Sequence, residues 1–375
     1  MDKRIIGKWY DSGGKLTINI FDEYVNCEPK LLLSFGYSGY YNMAPNCSYE
    51  KDGYLCFELN DEYYRMVYYL KYDGSTLGGY YTQFGKSTDV KFEKLSDAPE
   101  EGEYRYEPVI PGTDGMKRID ALKKYDSYTP DESDPAHTKY KAEYVLGGDV
   151  PGGDISAILH EYDYEKYVSG KEGDELAFSM LAFVCDHFNH NGSAGCGTER
   201  NIEGLIKYCR EKGNAMNCRG LALLLASLLR LNGFRARHIT CCPYENPFDD
   251  CHVVVDCELK SGERIMFDPS NRLYYRDAEG KYVSLRRLRD ILANGETLIP
   301  NPDASHAGCG FNPDGNRHYM IKNTFRFRRG MKYEDGLDDN AVQPIELIPN
   351  DYPPENITLP DDRIYLRDAD SFWIM

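Results

Sequence analysis

A cysteine, a histidine and an aspartate follow one another along the chain and supply the side chains that nucleophilic catalysis on a carbonyl group uses. Cys218 opens a leucine-rich run that predicts a buried helix over 218–231, and His252 opens an apolar run that predicts a strand. Asp268 follows the next predicted strand. In such a set a thiolate attacks, an imidazole transfers protons and a carboxylate orients the imidazole. The order therefore predicts Cys218 as nucleophile, His252 as base and Asp268 as orienting group.

The position of Cys218 favours an ionised thiol. A thiol with the ordinary pKa of about 8.5 is mostly protonated at neutral pH and is then a poor nucleophile. The first turn of a helix carries positive partial charge, and a neighbouring imidazolium stabilises a thiolate further. We expect the helix start to supply the first effect and His252 to supply the second.

A hairpin is expected to bring His252 and Asp268 together. The predicted strands 252–259 and 264–267 are joined by a turn at Ser261-Gly262, which directs both residues to the same end of the strand pair. A simple two-residue turn would place His252 opposite Asn271 instead of Asp268. The triad therefore requires a bulge or a longer loop that shifts the register.

The oxyanion of the tetrahedral intermediate needs hydrogen-bond donors. The backbone N–H of Cys218 is the expected first donor, and the side chains of His190 and Asn217 are candidates for the second. Each residue type also has a common structural explanation. A cysteine at a helix start is often a small buried hydrophobe, a strand histidine is often structural, and Asp-Pro-Ser often forms a turn. The combined order, and no single residue, indicates chemistry.

Zinc binding is the competing chemical interpretation. Two groups of histidines and cysteines are close in sequence, but neither has the two-plus-two spacing of a structural zinc site. We therefore expect no metal and no cofactor. The first group is His187, His190 and Cys196, and the second is Cys241, Cys242, Cys251 and His252.

The composition is that of an acidic, globular chain. Among its 375 residues 41% are hydrophobic, and 61 acidic against 44 basic side chains give a net charge of −17. This charge argues against nucleic acids and anionic membranes as partners. Neither a membrane-spanning run nor a signal-peptide core is evident, so a cytoplasmic location is expected. The 12 cysteines form no Cys-x-x-Cys pair and are expected to be free thiols. Nothing in the sequence indicates an oligomeric state.

The pattern divides the chain into three parts. Residues 1–96 alternate with period two between turn dipeptides, which predicts an all-β meander that closes into a small barrel. Residues 97–153 are rich in charge, Pro and Gly and predict a linker and irregular segment with one short helix. Residues 154–375 change to helices followed by strands. The opening Gly7-Lys8-Trp9-Tyr10 resembles the Gly-x-Trp start of lipocalin-like barrels.

Residues 174–300 resemble the transglutaminase-like domain, a branch of the papain-like fold. The resemblance implies an α+β core with a central helix packed on an antiparallel sheet, and it implies the same roles for Cys218, His252 and Asp268. The matching stretches are Asn217-Cys218-Arg219-Gly220-Leu221-Ala222, Leu228-Leu229-Arg230-Leu231-Asn232-Gly233-Phe234-Arg235-Ala236-Arg237, Cys251-His252-Val253 and Phe267-Asp268-Pro269-Ser270.

The chain departs from the protein-crosslinking members of that family. Those members follow the cysteine with tryptophan, whereas Arg219 stands here, and the two tryptophans of this chain, Trp9 and Trp373, lie far away in sequence. A calcium loop of alternating carboxylates is also not evident. Crosslinking is therefore not expected, and the chain is more similar to the broad bacterial branch, many members of which look like peptidases or amidases.

These observations predict a cysteine hydrolase that cleaves peptide or amide bonds through a thioester acyl-enzyme, with a peptide or protein as substrate. Acyl transfer to an amine uses the same triad and differs only in the acceptor. A catalytically inactive binding module, with a ligand held by the barrel or by a groove near Cys218, is the alternative from another functional class.

Overall fold

The computed structural model describes residues 1–11, 13, 16–36, 39–60, 65–83, 85–106, 109–110, 112–147, 155–248, 250–306, 310–338, 344–355 and 357–375. The chain divides into two compact units, Met1–Lys117 and Arg118–Met375. Among the residues described, none of the helices has the length and apolar character needed to cross a membrane.

The first unit is a curled antiparallel sheet that forms a half-barrel. Its strands are β1 (Gly7–Asp11), β2 (Leu16–Val25), β3 (Glu28–Phe35), β4 (Tyr40–Met43), β5 (Cys47–Lys51), β6 (Tyr54–Asn60), β7 (Arg65–Tyr72), β8 (Leu77–Gln83), β9 (Lys86–Ser96) and β10 (Arg105–Tyr106), and a short 3-10 helix (Lys3–Ile5) precedes them.

The strand order across this sheet is β10-β4-β3-β2-β1-β9-β8-β7-β6-β5, so β1 joins the two halves of the meander. The sheet curls until its β5 edge meets β3, where Ser48 Oγ donates a hydrogen bond to the Pro29 carbonyl at 2.5 Å. The predicted all-β meander is confirmed, but β5 and β10 remain as edges where full barrel closure was expected. The likeness to lipocalins stays a prediction.

Aliphatic and aromatic side chains fill the interior of the half-barrel, since alternate residues of a strand point to the same face. Trp9 is fully buried, and its indole N–H donates to the Ile5 carbonyl at 2.7 Å. Phe57 stacks on Tyr68 with ring centroids 4.6 Å apart. These contacts give the first unit a core of its own.

The second unit mixes helices and strands. Its helices are α1 (Arg118–Lys124), α2 (Ile155–His160), α3 (Glu165–Val168), α4 (Gly173–His187), α5 (Ile202–Glu211), α6 (Cys218–Leu231), α7 (Leu285–Asn294), α8 (Pro313–Asn323) and α9 (Ala369–Trp373), with a 3-10 turn at Gly192–Ala194. Its strands are β11 (Glu143–Tyr144), β12 (Asn189–His190), β13 (Ala215–Met216), β14 (Arg235–Cys242), β15 (His252–Glu258), β16 (Arg264–Phe267), β17 (Tyr275–Arg276), β18 (Ile299–Pro300), β19 (Arg326–Arg329), β20 (Lys332–Tyr333), β21 (Ile345–Leu347) and β22 (Ile364–Leu366).

The main sheet of this unit has the order β16-β15-β14-β19-β21-β22, with antiparallel pairs except for β21 and β22. Helix α6 packs against β14 and β15. It is apolar on almost every side and is buried accordingly. Gly233 ends it with φ +78°, and the Phe234 amide returns to the Leu229 carbonyl at 3.0 Å. The α+β class is confirmed, as is the predicted helix 218–231.

A buried ion cluster ties the end of the chain to the main sheet. Arg237 and Asp256 face each other across β14 and β15, and both side chains are fully buried. The Arg237 guanidinium donates to Asp256 Oδ2 at 3.0 and 3.1 Å, and Arg264 adds a second ion pair to the same carboxylate. Arg237 also donates to the carbonyls of Trp373 and Ile374 at 3.1 and 3.0 Å.

We expect Arg237→Leu to lower the free energy of unfolding by about 3 kcal/mol, because it removes one partner of a buried ion pair. Arg235→Leu on the same strand is the matched control, since Arg235 pairs with Glu258 with half of its side chain, 51%, exposed. That change should cost less than about 1 kcal/mol. Denaturant unfolding of both variants measures the difference, and equal losses would contradict the assignment.

Candidate active site

Cys218 lies at the first position of α6 and is partly exposed. Asn217 caps the helix, because its side-chain oxygen accepts a hydrogen bond from the Gly220 amide at 3.0 Å. The cap follows directly from β13, which pairs with β12 in parallel. The sulfur therefore lies at the positive end of the dipole of a buried helix. The Asn217 cap and the pairing of β13 with β12 fix the start of this helix. Of the two oxyanion candidates, Asn217 has its oxygen engaged in capping.

The first turn of α6 is packed closely against the chain that precedes it. A Cβ atom placed on Gly220 would lie 2.8 Å from Cys196 Cβ and 3.0 Å from Met216 Sδ. Both neighbours are buried. Glycine is therefore the residue that lets this segment approach the turn carrying Cys218.

His252 and Asp268 form a buried pair. His252 Nε2 lies 2.9 Å from Asp268 Oδ2, and only 3% and 1% of the two residues are exposed. The Cys218 side chain also acts on this imidazole, because it helps to raise the pKa of His252. Since Nε2 faces the carboxylate, Nδ1 is the nitrogen left for the sulfur. The structure thus joins His252 to Asp268 and places Cys218 near the same ring, while the catalytic roles of the three residues stay a prediction.

The length of the hairpin loop decides on which face of the sheet Asp268 lies. Residues 259 and 263 are joined by a backbone hydrogen bond of 2.8 Å, so the loop between them has three residues. The register of β15 and β16 pairs Val255 with Phe267. Its continuation makes Asp268 the diagonal neighbour of His252 on the same face. A two-residue turn would have moved Asp268 to the other face.

His252 and Asp268 each stabilise the charged form of the other. Burial alone lowers the pKa of His252, but the charge and hydrogen bond of Asp268, together with Cys218, outweigh it and hold this pKa well above its usual range. Burial alone raises the pKa of Asp268, but the charge and hydrogen bond of His252 and a hydrogen bond from Asn271 hold it below its usual range. The arrangement therefore favours an imidazolium beside a carboxylate.

Other thiols near the site are kept protonated. Burial, followed by the charge of neighbouring cysteines, raises the pKa of Cys251 to about 12. The same causes raise the pKa of Cys241, the cross-strand partner of His252, well above its usual value. The thiolate is the nucleophilic form of cysteine. Cys218 therefore stands apart from both through its helix start and its imidazole partner.

Tyr319 on α8 borders the imidazole, and the sequence analysis did not anticipate it. Its ring meets the His252 ring edge-on, with centroids 5.3 Å apart. Its hydroxyl lies 3.3 Å from the Cys251 carbonyl and 3.4 Å from Asp250 Oδ1. Asp250 is in turn paired with Lys322. Packing against Tyr319 restricts the ring plane of His252. The sequence did not indicate this contact, because no local pattern relates α8 to β15.

His190 lies on β12, beside the strand that leads into Cys218. Its ring centroid is 5.2 Å from that of His306. Burial, followed by the charges of His306 and His252, lowers the pKa of His190 to about 3. The imidazole is therefore neutral at neutral pH. His252 and Asp268 are close enough for their charges to act on this ring, and its role as an oxyanion donor stays a prediction.

Arg219 is oriented by two polar side chains. It donates to Asp338 Oδ1 at 2.8 Å and to Thr240 Oγ1 at 2.9 Å. Asp338 also lies 3.6 Å from Arg200. Arg219 thus joins α6 to β14 through a polar network.

Metal ligation was the competing interpretation of the histidines and cysteines. In the stretches of chain that the structure describes, no group of three or more His, Cys, Asp or Glu side chains could hold a metal ion.

No family model matches the chain, and no curated protein matches it. The solved structures that are similar to parts of it include two named as proteases. One is named as a putative cysteine protease from Cytophaga hutchinsonii, with 17% identity, a TM-score of 0.25 and coverage of 38% of this chain. The other is named as a putative protease from Parabacteroides distasonis, with 12% identity, a TM-score of 0.24 and coverage of 62%. The chain spans 50% of the first structure's length and 40% of the second's.

We expect Gly220→Ala to destabilise the protein by about 1–3 kcal/mol, because overpacking at this turn exceeds the helix-propensity gain of about 1 kcal/mol. Alkylation of Cys218 by iodoacetamide should also slow. Gly192→Ala is the matched control, since a Cβ there meets nothing within 4 Å. Thermal unfolding and adduct mapping report the two effects, and a Gly220 variant that behaves like the control would show that the turn has room.

The lowered pKa of His190 predicts a pH dependence of stability. Between pH 6.5, the ordinary value, and about pH 3, the unfolded chain binds a proton at this residue that the folded chain does not. Stability is therefore lost as the pH falls through this window, by about 2 kcal/mol at pH 5 from this group.

His190→Gln should remove that part of the acid dependence, as measured by denaturant unfolding at pH 7 and pH 5. His160→Gln is the control, because the His160 side chain is 80% exposed. If the two variants changed the pH 7 to pH 5 difference equally, burial of His190 would not be its origin.

Proposed function

We propose that this protein is a cysteine hydrolase that cleaves peptide or amide bonds through a thioester acyl-enzyme. The observation that carries the proposal is the buried 2.9 Å bond between His252 Nε2 and Asp268 Oδ2, on an imidazole whose protonated form the Cys218 side chain at the start of α6 also favours. Nucleophile, base and orienting group can then interact in the sequence that covalent catalysis requires. We also propose that residues 154–375 have the transglutaminase-like, papain-like fold that the sequence resemblance implies.

Acylation begins from the thiolate of Cys218 and the imidazolium of His252. The sulfur attacks the carbonyl carbon, a C–S bond forms and the carbonyl oxygen becomes an oxyanion. His252 then gives its proton to the leaving nitrogen, the C–N bond breaks and a thioester remains. Asp268 keeps the imidazole in position and stabilises its charge before the proton is given.

Deacylation returns the enzyme to its starting state. His252, now neutral, takes a proton from a water molecule that attacks the thioester carbonyl. The C–S bond then breaks, and the products are a carboxylic acid and the Cys218 thiolate beside an imidazolium. An amine in place of water would give a new amide, so hydrolysis and acyl transfer differ only in this step.

The oxyanion is expected beside the first turn of α6. The Cys218 N–H lies at the helix start, where amide groups point toward a negative charge. For the second donor, His190 and Asn217 remain the proposed side chains. The Asn217 oxygen accepts from Gly220, so its Nδ2 is the atom that can donate.

Reactivity of the thiol tests the proposal without a known substrate. With iodoacetamide near pH 7, Cys218 should be alkylated at least about 10-fold faster than the exposed Cys27, because the imidazolium stabilises its thiolate. His252→Ala should remove that advantage, whereas alkylation of Cys27 should not change. Equal rates at the two cysteines in the unaltered protein would refute an activated nucleophile.

Hydrolysis of substrates gives a second test of the proposed function. A library of peptide and amide substrates should be hydrolysed with Cys218→Ala at least about 10³-fold slower than the unaltered protein. Product analysis with an added primary amine separates hydrolysis from acyl transfer. Reactive Cys218 with no turnover of any substrate would instead favour a binding module.

A further inference from the structure

The carboxylate of Asp268 receives more hydrogen bonds than a triad needs. Its Oδ2 accepts from His252 Nε2 at 2.9 Å and from the Asn271 side-chain amide at 2.8 Å. Its Oδ1 accepts from the Ser270 backbone amide at 3.0 Å. The Asp268 residue is 1% exposed. Three donors compensate the burial of the negative charge, and one of them is a side chain with no part in the chemistry proposed above.

The orientation of the Asn271 amide is fixed from its other end. His306 Nδ1 lies 2.9 Å from Asn271 Oδ1. Because Asn271 Nδ2 faces the carboxylate, its oxygen faces His306, and His306 must donate through Nδ1. The reversed amide would place an oxygen against the Asp268 carboxylate and is repulsive. A single arrangement therefore satisfies all three side chains.

His306 is suited to this role because it stays neutral. Burial lowers the pKa of its ring, despite the nearby charge of Asp268, and the charge of His252 acts in the same direction as burial. The His190 ring, also neutral, lies against it at 5.2 Å. A neutral imidazole has one N–H, which the bond to Asn271 uses.

Hydrogen bonds hold residues 271–274 beside residues 301–306. The Ser305 amide donates to the Asn271 carbonyl at 2.9 Å. Asn301 bridges the same segments, since its amide nitrogen donates to the Arg272 carbonyl at 3.0 Å and its oxygen accepts from the Tyr274 amide at 2.8 Å. These hydrogen bonds therefore place His306 beside Asn271.

We propose that Asn271 and His306 are positioning residues of the triad, which hold the Asp268 carboxylate ionised and aligned with Nε2 of His252. This inference rests on the proposed function of Cys218, His252 and Asp268. Neither residue touches the reacting atoms. They act through Asp268, and their loss should weaken the imidazolium and shift the site toward a neutral thiol and a neutral imidazole.

The test compares variants of His306 by the pH dependence of Cys218 alkylation and of turnover. In His306→Leu, which removes the donor, alkylation of Cys218 at pH 7 should fall about 10-fold, and the alkaline limb of kcat/KM should move down by about one pH unit. His306→Asn keeps an N–H donor at the position of Nδ1 and should retain values close to those of the unaltered protein. Asn271→Ala, a second and independent variant, should reproduce the effect of His306→Leu.

Asn301→Ala is the control for a merely structural role, because Asn301 joins the same segments without contacting Asp268. It should lower the thermal unfolding temperature and leave both pH profiles in place. The inference is overturned if His306→Leu and Asn271→Ala keep the original profiles, or if Asn301→Ala shifts them equally. Failure of the proposed function is a separate result, since it appears in the unaltered protein as a Cys218 no more reactive than Cys27.

Discussion

The buried negative charge of Asp268 is the constraint on which the site depends. A carboxylate removed from water is costly unless donors replace its hydration. Here the replacement comes from an imidazole, a backbone amide and a side-chain amide. The bonds that make the carboxylate tolerable also fix the imidazole plane. Local stability and the proposed chemistry therefore depend on the same contacts, which lie in the tight turn after β16.

Asp256 is a second buried carboxylate, and it differs from Asp268 in its hydrogen-bonding partners and therefore in its role. Asp256 lies on β15 four residues after His252 and therefore on the same face. Its partners are the guanidinium groups of Arg237 and Arg264, which stay charged at every accessible pH. That cluster is a permanent tie between the sheet and the end of the chain. Asp268 instead faces an imidazole, a group that can give up and regain a proton, so its contact fits the proposed reaction cycle.

The position of Cys218 in the fold distinguishes it from the neighbouring cysteines. Cys241 and Cys251 lie close enough to Cys218 for their charges to interact, and burial keeps both protonated. Cys218 differs in two respects, namely the first turn of α6 and the imidazole of His252. Gly220 contributes indirectly, because its missing side chain lets the preceding segment pack against that turn.

The amino-acid sequence alone determined the local elements. Apolar residues on nearly every side of 218–231 and the Asn232-Gly233 pair that ends the run predicted α6, and period-two alternation predicted the strands of the first unit. The candidate triad also followed from sequence, since its residues mark the starts and ends of those elements. Only tertiary structure decided the rest. A loop of three residues, where the dipeptide signal suggested two, set the face on which Asp268 lies. Curling of the first sheet left two edges where a closed barrel was expected. Tyr319 and His306 come from distant segments, and contacts of that kind leave no periodic trace along the chain, because they depend on packing between elements and not on the geometry within one.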